Sequence, residues 1–140
     1  MSVYPDASYL LSLFTNDAMT ARAKAYLYRE KPQLVVSDFA AAEFASVTAR
    51  CVRTALLSKD EARAVFATFD AWTARLCERV QIASADLTAA ESYLRRLDLT
   101  LRTPDALHIG IAQRLGASLA TFDKKMTAAA AHLGCAVVKL

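Results

Sequence analysis

Residues 3–11, VYPDASYLL, read as a buried strand turning into a buried helix, with a lone acid, Asp6, at the junction. The same passage recurs at Leu119-Ala120-Thr121-Phe122-Asp123, which leads into Lys124-Lys125. Outward from these two junctions, Gln33–Val36, Val80–Ala83, Ala117–Thr121 and Ala136–Val138 are short apolar segments of strand length, so five strands are expected. Between them the apolar residues recur at helical spacing. The clearest run is Ala62, Val65, Phe66, Phe69, Trp72 and Leu76, preceded by Ser58 and Glu61 in capping-box register. A second run, Leu87, Ala90, Leu94 and Leu97, opens at Ser84 as cap, and Gly134 is placed to end the last helix in a left-handed turn. Each parallel return in a sheet needs a crossover of helical length, so short strands alternating with helices predict a three-layer α/β/α domain. Its central, mainly parallel sheet has about five short strands, and residues 1–140 form a single domain.

The composition narrows the class. The chain has 140 residues, enough for one sizeable core and too few for two. Although 55% of the residues are hydrophobic, no uncharged apolar run approaches the roughly 18 residues that span a bilayer. Much of that fraction is alanine, as in Ala128–Ala131, which suits closely packed helices. No basic-then-apolar leader opens the sequence, so a soluble, cytoplasmic protein is expected. The cysteines Cys51, Cys77 and Cys135 are odd in number, far apart and set among apolar residues, as reduced core thiols are. With His108 and His132 they match no familiar zinc spacing.

Four acids ask for an explanation. In parallel α/β sheets ligands bind at the carboxyl ends of strands, where Asp6 and Asp123 are expected. Asp105 follows Thr103-Pro104, with Thr103 as cap and Pro104 at the first helical position, so its side chain projects from a helix start. Glu43 is the only charge in the apolar run FAAAEFASVTA, residues 39–49; burying an unpaired carboxylate there costs several kcal/mol unless a cation or donor network receives it. Singly, each aspartate is also an ordinary helix cap, and Glu43 also fits a thin polar stripe beside Arg50. Together they can converge on one sheet edge, and clustered carboxylates with all-oxygen ligation favour magnesium or manganese over zinc. Of 17 bases and 14 acids, setting these four aside leaves a clearly basic remainder suited to a phosphate backbone. Its candidate contributors are Arg22, Lys24, Arg50, Arg53, Arg95, Arg96, Arg102, Lys124 and Lys125.

The motifs YPDASYLLSLF, VSDFAAAEFASV, LRTPDALHIGIA and LATFDKKMTAAAAHLGCAVV, in this order along nearly the whole chain, resemble the PIN-domain family, and specifically VapC-type toxins. The resemblance implies a parallel sheet flanked by helices and a magnesium-dependent endoribonuclease (manganese an alternative) cutting structured RNA such as tRNA or rRNA. It also implies a cognate VapB-like antitoxin and a homodimer. On the matching positions Asp6, Glu43, Asp105 and Asp123 are the catalytic and metal-holding acids, with Asp6 and Asp105 in direct metal contact, and Ser8 and Thr121 are polar supports. Two departures stand out: Pro5 replaces a residue that would supply a strand N–H, and no further acid follows Asp123.

The chemistry expected of such a site is attack of a metal-activated water on phosphorus in line with the leaving oxygen, with Glu43 or Asp123 orienting the water. His108, three residues beyond Asp105 near the same helix face, reads as a core or supporting histidine rather than a general base. Phe14, Phe66, Phe69 and Trp72 read as core or partner-facing surface. Two rivals remain. One is a non-catalytic PIN-like module that binds RNA or protein. The other is an aspartyl phosphatase, weakened by Ser8 where a second Asp would stand. Three glycines provide no phosphate-binding glycine loop.

Overall fold

The computed structural model describes residues 1–140. Its elements run β1 (Ser2–Pro5), α1 (Ala7–Phe14), α2 (Thr20–Glu30), β2 (Gln33–Ser37), α3 (Asp38–Arg53), α4 (Lys59–Leu76), β3 (Cys77–Val80), α5 (Ser84–Arg95), α6 (Thr103–Arg114), β4 (Ser118–Ala120) and α7 (Lys124–His132). All four strands are parallel, in the order β3-β2-β1-β4, with Val3 opposite Leu34 on one side and Ser118 on the other. The chain therefore steps one way from β1 to β3 and then returns past β1 to place β4. That reversal puts the topological switch between β1 and β4, the position where open parallel sheets bind ligands.

Side-chain alternation along β1 builds both flanking layers at once. Val3 faces one side with Tyr9, Ala23, Tyr26 and Leu34, while Tyr4 faces the other with Leu107, Ile109, Ile111 and Leu119. A third cluster of Leu10, Val36, Ala40, Phe44 and Phe69 joins α1, β2, α3 and α4. Phe14 stands edge-on to Phe44, Phe69 and Trp72, so these aromatics are interior packing. No helix is long and apolar enough to cross a membrane, and all three cysteine thiols are free.

Several local expectations hold. Ser58 and Glu61 form the reciprocal capping box of α4, and Gly134 has φ +72° after α7. Pro5 ends β1, where its missing N–H removes no ladder bond that the strand needs; Asp6 N–H donates instead to Ala120 O at 3.0 Å.

Others shift. The fifth strand contracts to one parallel bridge between Leu119 and Val137. The third strand lies at Cys77–Val80, earlier than Val80–Ala83, because an edge strand reading Cys-Glu-Arg-Val is half-exposed and carries no apolar signature. On the second helix Leu87 is exposed, and Leu97 lies beyond the end of α5 at Arg95 and is exposed too, as is Leu76 on α4. The reason on α5 is that its inward face is organised by a charge. The cap is Ala83 rather than Ser84, with Asp86 in the first turn accepting the Ala83 N–H at 2.8 Å, and the Asp86 carboxylate is gripped by Arg114 of α6 at 2.6 and 3.0 Å. At the start of α6 the cap is Arg102 rather than Thr103, with Asp105 accepting the Arg102 N–H at 3.2 Å.

The Asp86 side chain is fully buried, and Arg114 is a third exposed. Removing one partner of a buried ion pair strands the other, at about 3 kcal/mol toward the lower end of the usual range, since Arg114 keeps some water. Asp86→Ala is expected to lower unfolding stability by that amount in a urea titration; a loss below about 1 kcal/mol, the worth of an ordinary surface pair, would show that α5 and α6 do not depend on it.

Candidate active site

The carboxyl edge of a parallel sheet collects every strand-to-helix junction on one side, and three of the four acids arrive there or on the helices it feeds. Asp6 is the cap of α1 directly after β1, and only 2% of it is exposed. Its Oδ1 accepts from Tyr9 N–H at 2.9 Å and Ser8 Oγ–H at 2.7 Å; its Oδ2 accepts from Thr121 Oγ–H at 2.6 Å. A carboxylate offers about four acceptor positions, so three are taken by neutral donors and one is left. No base forms an ion pair with it. Burial holds the Asp6 carboxyl above the usual carboxylate range, outweighing the lowering effect of the Thr121, Tyr9 and Ser8 hydrogen bonds.

Thr121 ties this acid to the next. Its Oγ also accepts Asp123 N–H at 3.0 Å, while Ser8 Oγ accepts Phe122 N–H at 3.1 Å, so the β1 and β4 junctions are laced across the switch point. Asp123 caps α7 through Lys125 N–H and Met126 N–H at 2.9 and 3.1 Å. Asp105, partly buried at the start of α6, shares with Asp123 a polar cleft of about 440 Å³ that Arg102 and Lys125 also line. Two of the nine bases expected on an RNA-facing surface thus stand beside the acids. Others are engaged with surface acids, Arg95 with Glu91 and Arg96 with Asp98.

Glu43, in α3, is partly exposed and pairs with His108 Nε2 of α6 rather than with Arg50. His108 itself is 2% exposed, and its Nδ1 meets Tyr4 Oη at 2.7 Å. Tyr4 Oη in turn meets Ser37 Oγ, the cap of α3, at 2.7 Å. Burial raises the Tyr4 phenol, which also lies within the electrostatic reach of Asp6 and Glu43. Sequence reasoning gave His108 a supporting place but missed Tyr4 and Ser37. The available signal was a phenol in an apolar strand, since a buried tyrosine hydroxyl needs a partner.

As the side chains lie, no three Asp, Glu, His or Cys residues stand close enough to hold one ion. Asp6 and Asp123 are joined through Thr121, Asp105 and Asp123 share the cleft, and Glu43 is linked to His108. The donors nonetheless suit a hard divalent cation: every candidate ligand atom is a carboxylate oxygen, and the most buried of them lacks any positive partner while keeping one acceptor position free.

One consequence is measurable without any ligand. A carboxyl raised in the folded state contributes stability that is fully present below its unfolded pKa and is lost as pH rises through its folded value. At neutral pH, in metal-free buffer, Asp6→Asn is therefore expected to melt higher than the parent, and the gain should vanish as pH falls below the ordinary aspartate range near 3.9. A variant that melts lower than the parent at neutral pH would show that the Asp6 hydrogen bonds outweigh its desolvation.

The comparisons agree with this architecture. The PIN domain family model matches residues 3–132. The chain is 33% identical to Ribonuclease VapC46 of Mycobacterium tuberculosis over 98% of its own length and 96% of that protein's. Among solved structures, M. tuberculosis VapC20, described as a Sarcin-Ricin loop cleaving toxin, superposes with TM-score 0.71 at 20% identity, covering 91% of this chain and 94% of the other. VapBC2 of Rickettsia felis, bound to a DNA fragment from its promoter, gives TM-score 0.72 at 12% identity over 99% and 98%. With the family model spanning nearly the whole chain and a full-length relative at this identity, the protein belongs to the PIN-domain family, among its VapC-type members.

Proposed function

We propose that this protein is a magnesium-dependent endoribonuclease, the toxin of a VapBC-type toxin–antitoxin pair, acting in the cytoplasm on structured RNA of the tRNA or rRNA class. The observation that carries the reading is Asp6: a carboxylate buried at the switch point, surrounded by neutral donors and raised by burial, in a chain 33% identical to a ribonuclease. Such a group is costly to build for stability alone and is suited to binding a cation. Residues 1–140 act as one PIN domain, with all four strands in a single sheet.

Asp6, Glu43, Asp105 and Asp123 would hold the ion, magnesium or alternatively manganese, which when bound lowers the pKa of water and offsets charge on the phosphate. The chain's own residues do the rest. Ser8, Thr121 and Tyr9 N–H fix the Asp6 carboxylate so that it does not reorganise when RNA arrives. Either Glu43 or Asp123 orients the attacking water in line with the leaving oxygen and accepts its proton. Arg102 and Lys125, at the rim of the acidic cleft, engage phosphates and set the strand's position, while target choice comes from RNA shape and exposed loop bases. A VapB-like antitoxin and a second copy of the chain are the partners.

The alternative, a non-catalytic PIN-like module that binds RNA or protein, draws on the separation of the acids, which leaves no three of them around one point. One experiment separates the two. Purified, antitoxin-free protein incubated with total cellular RNA is expected to yield discrete fragments with magnesium or manganese and none with EDTA. Folded Asp6→Asn should be at least about 100-fold slower, as expected for loss of a group acting on the reacting atoms. No cleavage with any metal would establish the non-catalytic reading. In cells, the chain alone is expected to arrest growth and the pair with its antitoxin to restore it.

A further inference from the structure

We infer that His108 is the positioning residue of the active site, its Nε2–H holding Glu43 Oε1 while its Nδ1 accepts, and that Tyr4 and Ser37 set this tautomer through a one-directional hydrogen-bond chain. The inference rests on the nuclease reading for its consequence in catalysis, and on the geometry alone for the tautomer.

The direction follows from counting protons. Ser37 Oγ accepts Ala40 N–H at 2.9 Å, a bond whose donor is fixed because it is a backbone amide. The Ser37 hydroxyl proton is then free for its other neighbour, Tyr4 Oη at 2.7 Å. With that oxygen accepting, the Tyr4 proton points to His108 Nδ1, also at 2.7 Å. An imidazole whose Nδ1 accepts carries its proton on Nε2, and Nε2–H meets the Glu43 carboxylate, whose oxygens can only accept. Every proton is used once. Run in the opposite sense, the chain would end at Ser37 with a hydroxyl proton facing an amide N–H, so one buried proton would lose its acceptor, at about 1–3 kcal/mol.

The ring is also fixed in its plane. His108 packs against Phe39 with centroids 4.8 Å apart and against Tyr4 at 5.7 Å, and lies within Ala106–Ala112, where every residue is buried. The relay begins at the first turn of α3, crosses β1 and α6, and returns to α3 at Glu43. It therefore fixes the one site acid that is not held by a backbone amide. Asp6, Asp105 and Asp123 each accept a main-chain N–H; Glu43 has His108.

Two measurements test this. Long-range ¹H–¹⁵N correlation spectra of the folded, metal-free protein read the tautomer directly. The expected result is a protonated Nε2 and an unprotonated Nδ1 for His108, with the Nδ1 resonance moving in Tyr4→Phe. A proton on Nδ1, or a spectrum indifferent to Tyr4→Phe, overturns the relay whether or not the protein cuts RNA.

The second reads cleavage by His108→Gln, whose amide retains a donor near the Nε2 position, beside His108→Leu, which has none. Loss of a partner that orients a metal ligand costs roughly 10- to 100-fold. His108→Leu is expected to lose that much in kcat with KM little changed, and His108→Gln to recover most of it. Equal impairment of both, or of neither, overturns the positioning role. A parent that cuts no RNA refutes the nuclease reading instead and leaves the tautomer result standing.

Discussion

A carboxylate placed in the interior without a positive partner is among the most expensive things a small domain can build, and Asp6 is such a group. Three neutral donors offset part of its desolvation, and these donors are what the surrounding structure is arranged to supply. Tyr9 N–H and the Ser8 hydroxyl are available because α1 starts at that point; Thr121 reaches the acid because β1 and β4 are neighbours with matched ends. Moving β4 by one register position would turn Thr121 to the other face and break both the Asp6 contact and the bond that places Asp123. The strand order that puts β4 beside β1 is thus the condition for the site, and its packing on both faces is the condition for the strand order.

The two sides of the site are held by different means. Asp6, Asp105 and Asp123 are anchored at helix starts, where unpaired backbone N–H groups exist whatever the side chains do. Glu43 sits inside α3, where all main-chain donors are spent on the helix, so only a side chain from another layer can hold it. His108 comes from α6, whose residues 106–112 are buried throughout, so the ring is held by packing on all sides of that helix. The same α6 is pinned to α5 by the Asp86–Arg114 pair and by the close fit at Gly110, where a Cβ would come within 3.0 Å of Asp86 O. Stability invested far from the acids thereby fixes the position of Glu43.

Much of this could be read from the sequence, because the strongest signals are local. The acid after Val3-Tyr4-Pro5, the capping box at Ser58, the left-handed Gly134 and the core aromatics all depend on spacing within one turn or one strand. The order of the four acids carried the family resemblance. What stayed hidden depends on distant residues. The Glu43–His108 contact spans 65 positions, and the buried Asp86–Arg114 pair spans 28; in each case an apparently surface-type residue is drawn inward by a partner that no periodicity announces. The edge strand Cys77–Val80 was displaced for a related reason, since its exposure erases the alternation by which strands are recognised. The fifth strand is present only as a single parallel bridge from Val137 to Leu119, too short for strand periodicity to mark its extent.

The account turns on whether the acidic edge of the sheet gathers a divalent cation. The most direct measurement is a manganese titration of the ¹⁵N-labelled, antitoxin-free protein, observed through paramagnetic broadening of its amide signals. The account predicts early, selective loss of the signals of Asp6, Ser8, Glu43, Asp105, Thr121 and Asp123, reversed by excess magnesium and greatly weakened in Asp6→Asn. Broadening scattered over exposed acids such as Asp60 and Glu91, with the sheet edge untouched, would contradict it.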